Sequence, residues 1–170
     1  SRCLVGSEMC IRDSSNTDIT FTASNPDSEP REVTITVTPI FANDGESCTT
    51  DQEQVFTITV NPEPQINNFE ETICEGDTFA SIIPEDITDG VVPVGTTYTW
   101  VIASSNNVEG GSASTAASAT IPGSELTLVA GTTSPQDLIY TVTPLSVDQC
   151  EGDPFTVTIT VNPTPTMDAL

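Results

Sequence analysis

The residues with the most chemistry to offer are the five cysteines, Cys3, Cys10, Cys48, Cys74 and Cys150. On an acidic chain they suggest an oxidising, extracellular setting. Cys74 opens Cys74-Glu75-Gly76-Asp77-Thr78-Phe79 and Cys150 opens Cys150-Glu151-Gly152-Asp153-Pro154-Phe155. A bridge between these two would tie the first strand region to the final hairpin. It would close a loop of about 75 residues, worth roughly 4 kcal/mol in the chain-entropy picture. Cys48 occupies the place of Cys150 in a repeat described below, so its partner is expected upstream of Ser1. That leaves Cys3 and Cys10 to pair across a short loop, with Cys10–Cys48 as the alternative.

The carboxylates offer less. Glu70/Glu71, Glu85/Asp86 and Glu151/Asp153 are the pairs that could perform acid–base work. The chain has no histidine or lysine, and no Ser or Cys stands beside a base. The pairs therefore read as solvated loop carboxylates, no catalytic residue is assigned, and no enzyme is expected. Clustered acids at domain joints could bind calcium. No Asp-x-Asp-x-Asp-Gly loop is present, and Asp86 to Gly90 and Asn43-Asp44-Gly45-Glu46 read as turns. No cofactor or metal site is expected, with calcium at the joints the open alternative.

The formal charge of −22 comes from 25 acidic residues against three arginines, Arg2, Arg12 and Arg31. Phosphate contacts need Lys and Arg, so nucleic acid is excluded as a partner. Docking on an anionic membrane is disfavoured equally, and no apolar run is long enough to insert into one. Such a surface keeps a secreted array soluble.

The elements that position these residues come in a repeat. Thr57-Ile-Thr-Val-Asn-Pro-Glu-Pro64 returns as Thr158-Ile-Thr-Val-Asn-Pro-Thr-Pro165, and Pro30 to Pro39 aligns without a gap on Pro135 to Pro144. A period near 100 residues suits a domain array, not a solenoid. The register makes residues 1–64 the second half of one repeat, 65–165 a whole repeat and 166–170 the start of the next, in a segment of a longer protein. Val33–Thr38, Val55–Val60, Tyr98–Ile102, Ile139–Thr143 and Phe155–Val161 alternate apolar and polar residues at strand period. Strands are expected near 66–74, 77–83, 97–103, 119–121, 125–130, 137–143 and 154–162, antiparallel, in an all-β immunoglobulin-like sandwich. Residues 104–118 read as a mobile low-complexity loop, and Trp100 as a core residue on a central strand. Asn61-Pro62-Glu63-Pro64 and Asn162-Pro163-Thr164-Pro165 read as stiff joints between domains.

The order Thr72-Ile-Cys-Glu-Gly-Asp-Thr-Phe79, Val94-Gly-Thr-Thr-Tyr-Thr-Trp100, Tyr140-Thr-Val-Thr-Pro144, Cys150 and Val157-Thr-Ile-Thr-Val-Asn-Pro-Thr-Pro165 resembles the PKD-like repeats of giant surface proteins in Bacteroidetes. Gliding-motility adhesins of the SprB type are the best-known members. The resemblance covers 65–165 and, in its second half, 1–64. It implies tandem β-sandwich repeats in a cell-surface filament attached to the outer membrane, exported by the type IX secretion system and carried by the gliding machinery. Its partners would then be neighbouring repeats and that machinery. A stalk repeat of such an adhesin is the expected function. The alternative is a glycan- or surface-binding module, which would need an exposed aromatic platform from Trp100, Tyr98 or Tyr140.

Overall fold

The computed structural model describes residues 21–38 and 53–165, with the strand segments 2–3, 10–11, 40–43 and 46–49. Asp44, Gly45 and residues 166–170 lie outside the described residues, and with them part of one expected turn and the expected start of a third repeat. The chain divides into two compact units, Ser1–Asn25 with Pro30–Asn61, and Pro26–Glu29 with Pro62–Leu170.

The first unit holds β1 (Arg2–Cys3), β2 (Cys10–Ile11), β3 (Arg31–Val37), β4 (Ile40–Asn43), β5 (Glu46–Thr49) and β6 (Gln54–Val60). They form three antiparallel pairs, β1–β2, β3–β6 and β4–β5. In β3–β6, Arg31 lies opposite Val60, Val33 opposite Ile58 and Ile35 opposite Phe56.

The second unit begins with β7 (Gln65–Ile66), β8 (Phe69–Cys74) and β9 (Gly90–Val91). It continues through β10 (Thr97–Ser105), β11 (Val108–Glu109), β12 (Thr127–Leu128), β13 (Gln136–Leu145) and β14 (Phe155–Asn162). One four-stranded sheet, in the order β10-β13-β14-β8, carries the long strands. Period-2 alternation explains them. Along β14, Phe155, Val157, Ile159 and Val161 are buried, and the threonines between them are half-buried.

The facing layer is less regular. It consists of the short ladders β7–β9 and β11–β12 and the single bridges Thr78–Glu125 and Ile82–Ile121. Phe79, Ile121, Leu126 and Leu128 from this layer share one core with Leu138, Tyr140, Val142 and the inner face of β14. Phe79 and Tyr140 meet at a ring separation of 6.4 Å. The described residues contain no helix, and so no helix able to cross a membrane. The all-β sandwich expected from the alternating runs is what forms.

Three expectations change. The strands near 77–83 and 119–121 contract to bridges, with Pro122, which donates no hydrogen bond, standing between the bridged residues Ile121 and Glu125. The sheet is not wholly antiparallel, since β8 runs parallel to β14 with Phe69 opposite Val157 and Cys74 opposite Asn162. Trp100 is in the core, but on the edge strand β10, not a central one.

The open edge of β10 also corrects the reading of 104–118 as a free loop. β10 extends to Ser105, β11 follows at once, and the segment then folds back along β10. Trp100 N–H donates to Ser114 Oγ at 2.8 Å and Ser114 N–H to Trp100 O at 2.9 Å. Tyr98 and Ser118 exchange backbone bonds of 2.7 and 3.0 Å. Small residues permit this approach: a Cβ at Gly111 would stand 2.8 Å from Leu138 Cδ2 and 2.9 Å from Tyr140 Oη. The low-complexity composition serves close packing on an edge that would otherwise be open.

Candidate functional site: the two poles of the second unit

The parallel β8–β14 pair fixes the two ends of the second unit. The chain enters through Asn61-Pro62-Glu63-Pro64, with Pro62 and Pro64 both fully buried. Pro64 lies against the turn between β13 and β14, where its carbonyl oxygen fills the space a Cβ on Gly152 would need. The chain leaves at the far end of β14 through Asn162-Pro163-Thr164-Pro165. There Glu75 N–H donates to Asn162 O at 2.8 Å, and the Glu75 carboxylate accepts from Thr164 N–H at 3.4 Å and Thr164 Oγ1 at 3.2 Å. Entry and exit therefore stand at opposite poles, and each proline joint is fastened to the domain body.

Both poles carry the tetrapeptide Cys-Glu-Gly-Asp, and its glycine answers a different demand at each. Gly76 turns the chain at φ +87, with Asp77 N–H donating to Cys74 O at 3.0 Å. Gly152 is there for room beside Pro64.

The same geometry overturns the Cys74–Cys150 pairing. Cys74 lies opposite Asn162, and Cys150 precedes Phe155 in the β13–β14 turn. They flank opposite ends of β14, which spans about 23 Å at about 3.3 Å per residue. A disulfide needs Cα atoms within about 7 Å. Both cysteines are free, Cys74 exposed and Cys150 half-buried. An antiparallel first strand would have brought Cys74 to the pole of Cys150, and the parallel register carries it away. In the first unit, Cys3 lies directly opposite Cys10 in the β1–β2 register, and Cys48 lies opposite Phe41.

Two of the paired acids, Glu71 and Asp86, accept hydrogen bonds from backbone. Glu71 Oε1 accepts from Ala80 N–H at 3.3 Å. Asp86 accepts from Ser28 Oγ and from Val92 N–H at 2.9 Å, and these bonds hold its carboxyl below the usual value. Asp89 accepts from Glu85 N–H at 2.8 Å, so Glu85 to Gly90 is a turn, as its composition indicates. Among the described residues, no group of three or more His, Cys, Asp or Glu converges on a metal position.

This turn holds Ile87 at φ 72 and 92 % exposed. A β-branched residue in the left-handed region is strained. Ile87→Gly is expected to raise stability by about 1 kcal/mol, read as a higher denaturant midpoint at unchanged slope.

The aromatic side chains are inside. Trp100 is 8 % exposed and its Nε1–H donates to Ser112 O at 2.9 Å. Burial, with the nearby Asp89 charge adding, pushes the Tyr98 phenol up to about 12. Burial also raises Tyr140, against the opposing Ser112 and Ser124 hydrogen bonds. Both folded values exceed the ordinary one near 10, so the folded state prefers the neutral phenol. This preference is intact below pH 10 and is lost as pH rises from about 10 through about 12. A spectrophotometric titration is expected to show less phenolate at pH 10 in the folded chain than in the unfolded one, with the rest of the ionisation accompanying unfolding above it; these are the chain's two tyrosines.

The second unit is thus an all-β sandwich whose entry and exit stand at opposite poles. The PKD-like domain family matches residues 71–165, more than half of the chain, and the chain belongs to that family. No curated protein matches it. Among solved structures it is similar to a 2,6-sialyltransferase of Photobacterium sp. JT-ISH-224 in complex with CMP and lactose. The identity is 13 %, the match covers 58 % of this chain and 18 % of that one, and the TM-score is 0.32.

Proposed function

We propose that this chain is a stalk segment of a large secreted cell-surface adhesin, built from tandem PKD-like repeats and exported by type IX secretion for gliding or surface attachment. Its role is mechanical, not catalytic. The observation that carries the reading is the parallel pairing of β8 with β14. Tension applied at the two joints pulls β8 and β14 past each other. Their hydrogen bonds are then loaded in shear, all together, instead of being opened one at a time. That arrangement suits an element that must transmit force.

The tandem character is supported by a second correspondence. Arg31–Val60, Val33–Ile58 and Ile35–Phe56 in β3–β6 match Gln136–Val161, Leu138–Ile159 and Tyr140–Val157 in β13–β14, pair for pair, under the sequence alignment. On this reading residues 1–64 are the latter part of one repeat, 65–165 a whole one and 166–170 the beginning of another. The opposed Cys3 and Cys10 are then the pair that suits oxidation outside the cell.

The glycan-binding alternative draws less support. A groove of about 310 Å³ along β10 is lined by Thr99, Thr141, Thr143 and Ser114, with the largely buried Trp100 its single aromatic. Carbohydrate platforms present an open aromatic face, and Tyr98 and Tyr140 are inside as well.

The test is surface labelling of intact cells with an antibody raised against residues 65–165. Staining that disappears when type IX export is blocked is the expected result. Antigen that stays inside cells with working export would overturn the proposal.

A further inference from the structure

The tetrapeptide Cys-Glu-Gly-Asp stands at both poles of the second unit, and the residue after it differs. Thr78 follows Asp77, whereas Pro154 follows Asp153 in the one Asp–Pro bond of the sequence. The two turns are also closed differently. Asp77 Oδ2 accepts from Cys74 N–H at 3.3 Å, which turns that carboxylate back on its own tetrapeptide. The matching Cys150 N–H donates instead to Ser146 Oγ at 3.1 Å, so Asp153 is not drawn back in this way. Asp153 and Pro154 are both exposed, and water reaches the bond between them.

We propose that the Asp153–Pro154 bond is a self-cleavage site, opened by mild acid, and that the cut domain stays assembled. A carboxylate oxygen of Asp153 closes a five-membered ring on the Asp153 carbonyl carbon, an attack that needs no second residue. The bond from that carbon to the Pro154 nitrogen breaks. The nitrogen takes up protons from the solvent and leaves as a secondary ammonium. Water then opens the cyclic anhydride, which returns protons and gives a C-terminal aspartate with two carboxylates. Nothing is oxidised or reduced. The nitrogen must be protonated to leave, so the reaction quickens as pH falls. A proline nitrogen, bonded to two carbons besides the carbonyl, accepts that proton more readily than an ordinary amide.

The fold holds both new ends. Upstream, Ser146 N–H donates to Cys150 O at 2.9 Å and Gly152 N–H to Pro144 O at 3.1 Å. Downstream, Phe155 is buried against Phe69 and Tyr98, and Thr156 N–H donates to Asn68 Oδ1 at 2.8 Å. β14 lies between β13 and β8, with Phe155, Val157, Ile159 and Val161 all buried. The cut severs β13 from β14 covalently and leaves both ladders in place. In a stalk under tension (a consequence that alone rests on the reading above) a cut repeat becomes the place where the array parts.

The test is incubation of the full chain for several days at about pH 5 and about pH 7, beside Asp153→Ala and Pro154→Ala. Both positions are exposed, so neither substitution disturbs the core. Mass spectrometry in denaturant is expected to find one fragment ending at Asp153 and one beginning at Pro154, formed about tenfold faster at the lower pH. Size exclusion of the same sample without denaturant is expected to show one species of unchanged size. Asp153→Ala is expected to stay whole, and Pro154→Ala to be cut about tenfold more slowly. A wild-type chain that stays whole, or fragments that also form in Asp153→Ala, would overturn the self-cleavage. Fragments that separate without denaturant would overturn the assembled product. These outcomes do not depend on the surface labelling, which tests the stalk alone.

Discussion

Phe155→Ala is expected to lower the unfolding midpoint of the second unit by about 15 °C or more. Phe155 is buried at the start of β14, 5.9 Å from the Phe69 ring and edge-on to Tyr98 at 6.2 Å. It thus joins β8, β14 and β10 at one point. Removing a buried phenylalanine costs about 3–5 kcal/mol in lost transfer and cavity energy. A domain of this size holds only about 5–15 kcal/mol in all, and each kcal/mol moves its midpoint by about 4–8 °C. The exposed Phe56 provides the contrast. Phe56→Ala is expected to shift stability by about 0.5 kcal/mol or less in the isolated chain. Calorimetry of the two variants checks both values.

Gly152→Ala is expected to cost about 1–3 kcal/mol, although it adds one methyl group. The obstacle is backbone: the Pro64 carbonyl fills the space, and Pro144 Cγ stands 3.1 Å from where the Cβ would be. A carbonyl in a fully buried proline joint cannot swing aside as a surface side chain would, so strain must spread into the joint. Gly76→Ala, in the same tetrapeptide at the other pole, meets nothing within 4 Å but must adopt φ +87. Its cost is expected near 1 kcal/mol, from the left-handed conformation alone. Denaturant melts of the two variants should rank them in that order, with the Gly152 variant also loosening the joint at Pro64 in hydrogen exchange.

The long strands were legible in the sequence because their burial is one-sided. Phe155 to Val161 alternates without a break, and the burial of β14 follows it residue by residue. What stayed hidden depended on tertiary placement. Residues 69–74 read as a strand, yet nothing local distinguishes a parallel partner from an antiparallel one, and the Cys74–Cys150 expectation failed on that choice. Residues 104–118 looked loose because Ser, Asn, Gly and Ala carry no periodic signal, although small residues are what allow Ser112 and Ser114 to lie against Trp100. The facing layer was over-read as full strands where single bridges and buried side chains suffice. The poles were half legible: the proline joints stood out by repetition, and the fastening of Thr164 to Glu75 needed the fold.

Stretching the native protein end to end tests the proposed force-bearing array most directly. A series of equal unfolding events is expected, each releasing about 30 nm, as a domain of about 100 residues extends at about 3.5 Å per residue less its folded length. A single event, or a series with no common increment near that length, would contradict it.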